Sequence, residues 1–115
     1  MAAGTLDLSI EQGSTYNLVL TWRIDGTAVN LTGYTARLQA RVDAEDAETV
    51  LSMTTAGGGI TLGGAAGTIT LDQSATQTAA ITAGTYVYDL EMVAGSGTVT
   101  RLIQGELVIS AEVTR

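Results

Sequence analysis

The sequence predicts an all-β fold, a sandwich of eight or nine short strands with one short helix near residues 75–81. Three observations carry this. Apolar and polar residues alternate with a period of two along most of the chain. Glycine, fourteen times present, punctuates the alternating runs, and proline is absent. Only one stretch has the start and stop signals of a helix. At 115 residues the chain fits one domain, residues 1–115.

The elements follow in order. Leu6, Leu8 and Ile10 alternate with Asp7 and Ser9 as a half-buried first strand. Tyr16, Leu18, Leu20 and Trp22 then share one face, with Asn17, Val19 and Thr21 on the other. Asp25-Gly26 is a tight-turn pair, since glycine accepts positive φ without a Cβ clash. A short strand is expected through Val29 and Leu31, then a turn at Thr32-Gly33.

From Thr35 to Val42 the alternation points Ala36, Leu38, Ala40 and Val42 inward and Arg37, Gln39 and Arg41 outward. Asp43 to Glu48 reads as a solvated loop, and Val50 to Thr54 as another strand. Ile60-Thr61-Leu62 and Thr68 to Leu71 form a hairpin around a glycine-rich tip. Ser74 is placed to cap a helix over 75–81, and Gly84 to end it. Two long antiparallel strands close the chain, Thr85–Val93 and Thr98–Ile109. The second has no clean inner face until after Gly105, which predicts a glycine bulge there.

Composition narrows the function. Apolar residues make up 45% and charged residues 15%, a balance that builds a core and argues against disorder. Neither cysteine nor histidine occurs, which removes disulfides, thiolate metal sites and the commonest general base. A net charge of −7 repels phosphate backbones, so nucleic acid is not an expected partner. Met1-Ala2-Ala3-Gly4-Thr5 lacks the basic and apolar regions of a signal peptide. No apolar run nears the roughly 20 residues of a membrane span, so no membrane partner is expected.

Asp43, Glu45, Asp46 and Glu48 lack the spacing that folds carboxylates around calcium, and read as surface. The glycine-rich stretches lack the lysine and following helix of a phosphate loop. Asn30-Leu31-Thr32 matches a glycosylation sequon by chance. Serines and threonines abound, yet without His, Cys or Lys nothing activates one as a nucleophile, and no enzyme is expected. No cofactor is expected either.

What remains is a contact surface. Arg37, Gln39 and Arg41 form an outward stripe, and with Arg23 supply three of the five basic residues. Facing a surplus of carboxylates elsewhere, this polarity suits a head-to-tail contact between copies. Tyr34, just after a turn, is the aromatic expected to be exposed. Trp22, Tyr16, Tyr86 and Tyr88 read as core, a sugar-binding platform being the alternative.

The order of segments carries a resemblance. Asp7-Leu8-Ser9-Ile10-Glu11-Gln12-Gly13-Ser14 opens the chain, and Leu31-Thr32-Gly33-Tyr34-Thr35-Ala36-Arg37 is its most specific part. Gly84-Thr85-Tyr86-Val87-Tyr88-Asp89-Leu90-Glu91 and a closing run from Gly105 to Arg115 complete it. Together they resemble small virion structural proteins of tailed bacteriophages. They are similar also to the N-terminal domain of phage upper-baseplate proteins, an immunoglobulin-like antiparallel β-sandwich. The resemblance implies an accessory structural role in a virion, made in the host cytoplasm, docked to the tail or baseplate and helping attach fibres. Its implied partners are other virion proteins and copies of itself. The rival readings are a capsid decoration protein and, of another class, a carbohydrate-binding module.

Overall fold

Alternation along the chain becomes two facing layers in the computed structural model, which describes residues 4–114. Residues 1–3 of the expected non-signal N-terminus, and Arg115, lie outside the described residues. Among the described residues the strands are β1 (Gly4–Thr5), β2 (Leu8–Glu11), β3 (Tyr16–Thr21), β4 (Arg23–Ile24), β5 (Thr27–Ala28), β6 (Thr35–Arg41), β7 (Leu51–Thr54), β8 (Ile60–Leu62), β9 (Thr68–Gln73), β10 (Gly84–Val93) and β11 (Val99–Ser110), with one α-helix, α1 (Ala75–Ala79), and a 3-10 turn at Gly64–Ala66. The larger sheet runs β7-β6-β10-β11, and β1 and β2 both lie along the outer flank of β11. The smaller sheet is β3-β9-β8. β4 and β5 form a separate hairpin turning at Asp25 and Gly26, both at positive φ as a type I′ turn requires.

The interior lies where the two inner faces meet. Leu38, Leu90, Met92 and Leu107 come from the larger sheet, Ile60, Ile69 and Leu71 from the smaller. Each is nearly or wholly buried, and each such side chain contributes about 1.5–3 kcal/mol relative to exposure. β6 buries Ala36, Leu38 and Ala40 as the alternation predicts. β10 buries Tyr86, Tyr88, Leu90 and Met92.

α1 is capped at its N-terminus and tied to the segment before β3. Ser74 accepts from the Gln77 amide at 3.1 Å and the Gln77 side chain accepts from the Ser74 amide at 2.8 Å, a capping box. Thr78, wholly buried, donates its hydroxyl to the Ser14 carbonyl at 2.9 Å. The helix stops at Ala79, two residues short of expectation, and Gly84 opens β10 instead of capping it.

Several expectations are corrected. The sandwich is not purely antiparallel: β1 and β2 run parallel to β11. Parallel neighbours need a long connection, and here almost the whole chain supplies it. The first strand is broken, because Leu6 points outward at 36% exposure between β1 and β2. Val42 lies past the end of β6 and is 56% exposed. The strand expected through Val29 and Leu31 is β5, two residues earlier, while Leu31 is buried in the turn that follows.

The bulge in β11 is real but misplaced. Leu90 faces Ile103 whereas Glu91 faces Arg101, so Leu102 is the extra residue. Gly105 answers a different need. A Cβ there would meet the Leu6 carbonyl oxygen and lie 2.8 Å from Asp7 Oδ1. Asp7 Oδ1 accepts the Glu106 amide at 3.0 Å, fastening the break in the first strand to β11.

Candidate interaction surface

The outer face of the larger sheet is where the sequence-predicted stripe meets chemistry of its own. On β6, Arg37, Gln39 and Arg41 point away from the core, because their neighbours Ala36, Leu38 and Ala40 point into it. On β10 the same rule turns Val87, Asp89 and Glu91 outward. Register sets the rows. Arg37 faces Glu91, and Gln39 faces Asp89. Across the other flank of β10, Arg101 faces Glu91 and Gln104 faces Asp89.

These rows are closed by ion pairs. Arg37 Nε donates to Glu91 Oε1 at 2.7 Å. Arg101 Nε lies 3.3 Å from Asp89 Oδ2, and its Nη1 donates to Gln104 Oε1 at 3.3 Å. Arg41 donates to Gln39 Oε1 at 2.8 Å and to the Asp46 carbonyl at 2.7 Å. Burial pushes the Asp89 carboxyl above its ordinary range, and Glu91 adds to the rise, while Arg101, Arg37 and Arg41 oppose it. A shallow concavity of about 690 Å³ crosses this lattice, lined among others by Gln39, Arg41, Asp89, Arg101 and Gln104.

The expected stripe is therefore present but not a basic patch. Arg37 is answered within its own sheet by Glu91, and Arg41 by the Gln39 side chain and the Asp46 carbonyl, rather than by carboxylates of another copy. Asp89, Glu91, Arg101 and Gln104 were missed as site residues. For the first two a signal existed, since they occupy the alternate positions to Tyr88, Leu90 and Met92. For the last two none did, because the bulge at Leu102 obscures the phase.

Two sequence-predicted residues fall elsewhere. Arg23 lies on the separate hairpin, opposite Ala28, and is exposed. Tyr34 is half-buried, contrary to expectation: the Thr32-Gly33 turn folds it back, and its ring meets that of Trp22 edge-on at 6.0 Å and 89°. The sequon residue Asn30 has a structural task, its Oδ1 accepting from the Thr32 amide at 3.0 Å and hydroxyl at 2.7 Å. Among the described residues no three metal-ligating side chains gather, and no helix is long and apolar enough to cross a membrane.

The tyrosines of β10 anchor the layers. Tyr86 donates its hydroxyl to the Thr82 carbonyl at 2.7 Å. Tyr88 donates to the Leu6 carbonyl, and burial, helped by Tyr16 and Asp7, pushes its phenol up to about 12. A tyrosine at the start of this strand, bonded back to the backbone a few residues upstream, is a hallmark of immunoglobulin-like sandwiches.

The comparison of folds agrees. The chain is similar to the crystal structure of a chicken TCR, with a TM-score of 0.53 at 12% identity. The fold is immunoglobulin-like. The likeness covers 96% of this chain and 56% of the receptor chain, so the chain spans little more than half of that neighbour. At this identity it speaks of architecture alone. No protein-family model and no curated protein matches the chain.

Proposed function

We propose that this chain is a non-enzymatic accessory structural protein of a tailed-phage virion, docking to the tail or baseplate through the outer face of its larger sheet and helping attach fibres. The observation that carries the reading is the ordered lattice of Arg37, Gln39, Arg41, Asp89, Glu91 and Arg101 on the outer face of the larger sheet. Interleaved charges of both signs select the orientation of a partner more than they add raw affinity, which suits a module that must dock in one pose. The segment most specific to the phage resemblance, Leu31 to Arg37, leads directly into that face. Repetition of such contacts around a symmetric particle turns a weak contact into a firm one.

A carbohydrate-binding reading needs an aromatic ring face open to solvent. All five aromatic side chains are buried or half-buried, and Trp22 and Tyr34 meet edge to face. That leaves the sugar reading without support from the surface.

The test is quantitative mass spectrometry of purified particles from a phage that encodes the chain. Tens of copies per particle are expected. Hundreds would move the assignment to the capsid surface as a decoration protein, and absence from particles would overturn the virion reading.

A further inference from the structure

Among the described residues the two layers have four free flanks, and three of them are blunted. β1 and β2 are interrupted at Leu6-Asp7. β7 has four residues and follows the acidic loop of Asp43, Glu45, Asp46 and Glu48. β8 has three residues, with Gly59 before it and Gly63 after it. Short, broken or charged flanks are how sheets avoid adding strands from other chains.

The fourth flank, β3, has none of these guards. Tyr16-Asn17-Leu18-Val19-Leu20-Thr21 is six residues long, uncharged, and free of glycine and proline. Its pairing with β9 is regular from Tyr16–Gln73 to Thr21–Thr68. The Trp22 amide donates to the Gly67 carbonyl at 2.9 Å, one pair beyond the ladder, so even-numbered residues of β3 aim their backbone groups at β9. The Gly63 amide donates to the Thr68 carbonyl and the Asp72 amide to the Gly59 carbonyl, which places the even residues of β9 on β8 in the same alternation. The N–H and C=O groups of Asn17, Val19 and Thr21 therefore face outward, with no strand beside them among the described residues. The β4–β5 hairpin leaves that flank open, because Trp22 takes the Val29 amide on the same side as its own bond to Gly67.

We propose that β3 pairs with β3 of a second copy of this chain, antiparallel about a two-fold axis at Val19, merging two three-stranded sheets into one of six. In that register Val19 faces Val19 of the second copy, Leu18 faces its Leu20, and Asn17 faces its Thr21. The three outward residues exchange both backbone bonds with their opposites. Val19, 55% exposed in the single chain, gains a β-branched partner, and the half-buried Leu18 and Leu20 close over the seam. The flanking charges favour the same pairing. Arg23 of one copy falls toward the end at which the other presents Asp72, beside Asn17. A contact of one strand is small, so the dimer is weak and reversible.

Sedimentation equilibrium of the purified chain, from about 10 μM to about 1 mM, reads the association directly. The wild type is expected to pass from monomer to dimer over this range. Val19→Lys sets two ammonium groups against each other, and Val19→Pro removes an outward N–H while sparing the bonds to β9. Both are expected to weaken association about tenfold or more, equivalent to about 1.4 kcal/mol, while Val108→Lys on the other sheet leaves it unchanged. On the wild type itself, amide exchange at Asn17, Val19 and Thr21 slows as concentration rises. A wild type monomeric throughout, or a dimer indifferent to both Val19 variants, overturns the proposal. Because no phage particle enters the experiment, failure here leaves the virion reading where it stood.

Discussion

The hydroxyl of Tyr86 reaches back four residues to the carbonyl oxygen of Thr82, at 2.7 Å, and holds the turn between α1 and β10 against the end of the sandwich. Tyr86 is 7% exposed, so the ring is core and only the hydroxyl approaches the surface.

Tyr86→Phe keeps the ring and deletes the bond. We expect a loss of about 1 kcal/mol, toward the low end for a buried hydrogen bond because the exposed Thr82 can turn its carbonyl to water. Urea unfolding with an unchanged m-value is the measurement.

Gly105→Ala places a methyl group against the Leu6 carbonyl, where backbone rather than a mobile side-chain tip must give way. A cost of about 1–3 kcal/mol follows, as for overpacking. The damage is local. Amide exchange should accelerate at Leu6, whose N–H donates to the Gln104 carbonyl at 3.0 Å, and at Glu106, before it does along β6 and β7.

Alkaline pH attacks the fold through Tyr88. Its phenol is raised in the folded state from 10.0 to about 12, so the native protein holds this proton more tightly than the unfolded chain. The stability it contributes is fully present below pH 10 and is lost as pH rises from there through about 12. Thermal melts across this range should fall more steeply for the wild type than for Tyr88→Phe, which has no phenol to titrate.

Arg37→Ala breaks an ion pair whose arginine side chain is 51% exposed. Exposed pairs contribute about 0.2–1 kcal/mol, so the fold should survive with little change in melting temperature. Replacing Arg37 and Arg41 together should nonetheless reduce incorporation into particles severalfold. Retained incorporation with both arginines gone would place the docking surface elsewhere.

How far the sequence reached differs by element. β3, β6 and β10 were legible, because Cβ direction alternates strictly along a strand and each has a run of apolar residues on one side. Asp25-Gly26 was legible because a two-residue turn has its own backbone demands. Val42 continued the apolar period but lies past the last pair of β6, and no local rule marks where pairing stops. Tyr34 followed a turn, and the direction in which that turn folds depends on Trp22, twelve residues away.

The sequence by itself determined which residues face inward along β3, β6 and β10, since that choice is made by sterics between adjacent residues. Only the tertiary structure decided which strands distant in the chain lie side by side. Asp7 meets the amide of Glu106 at the far end of the chain, Arg37 meets Glu91, and β3 pairs with β9 on one flank while no strand of the described residues lies along the other. Such pairings trade the entropy of closing long loops against burial summed over the whole interior, and no short stretch of sequence contains that balance.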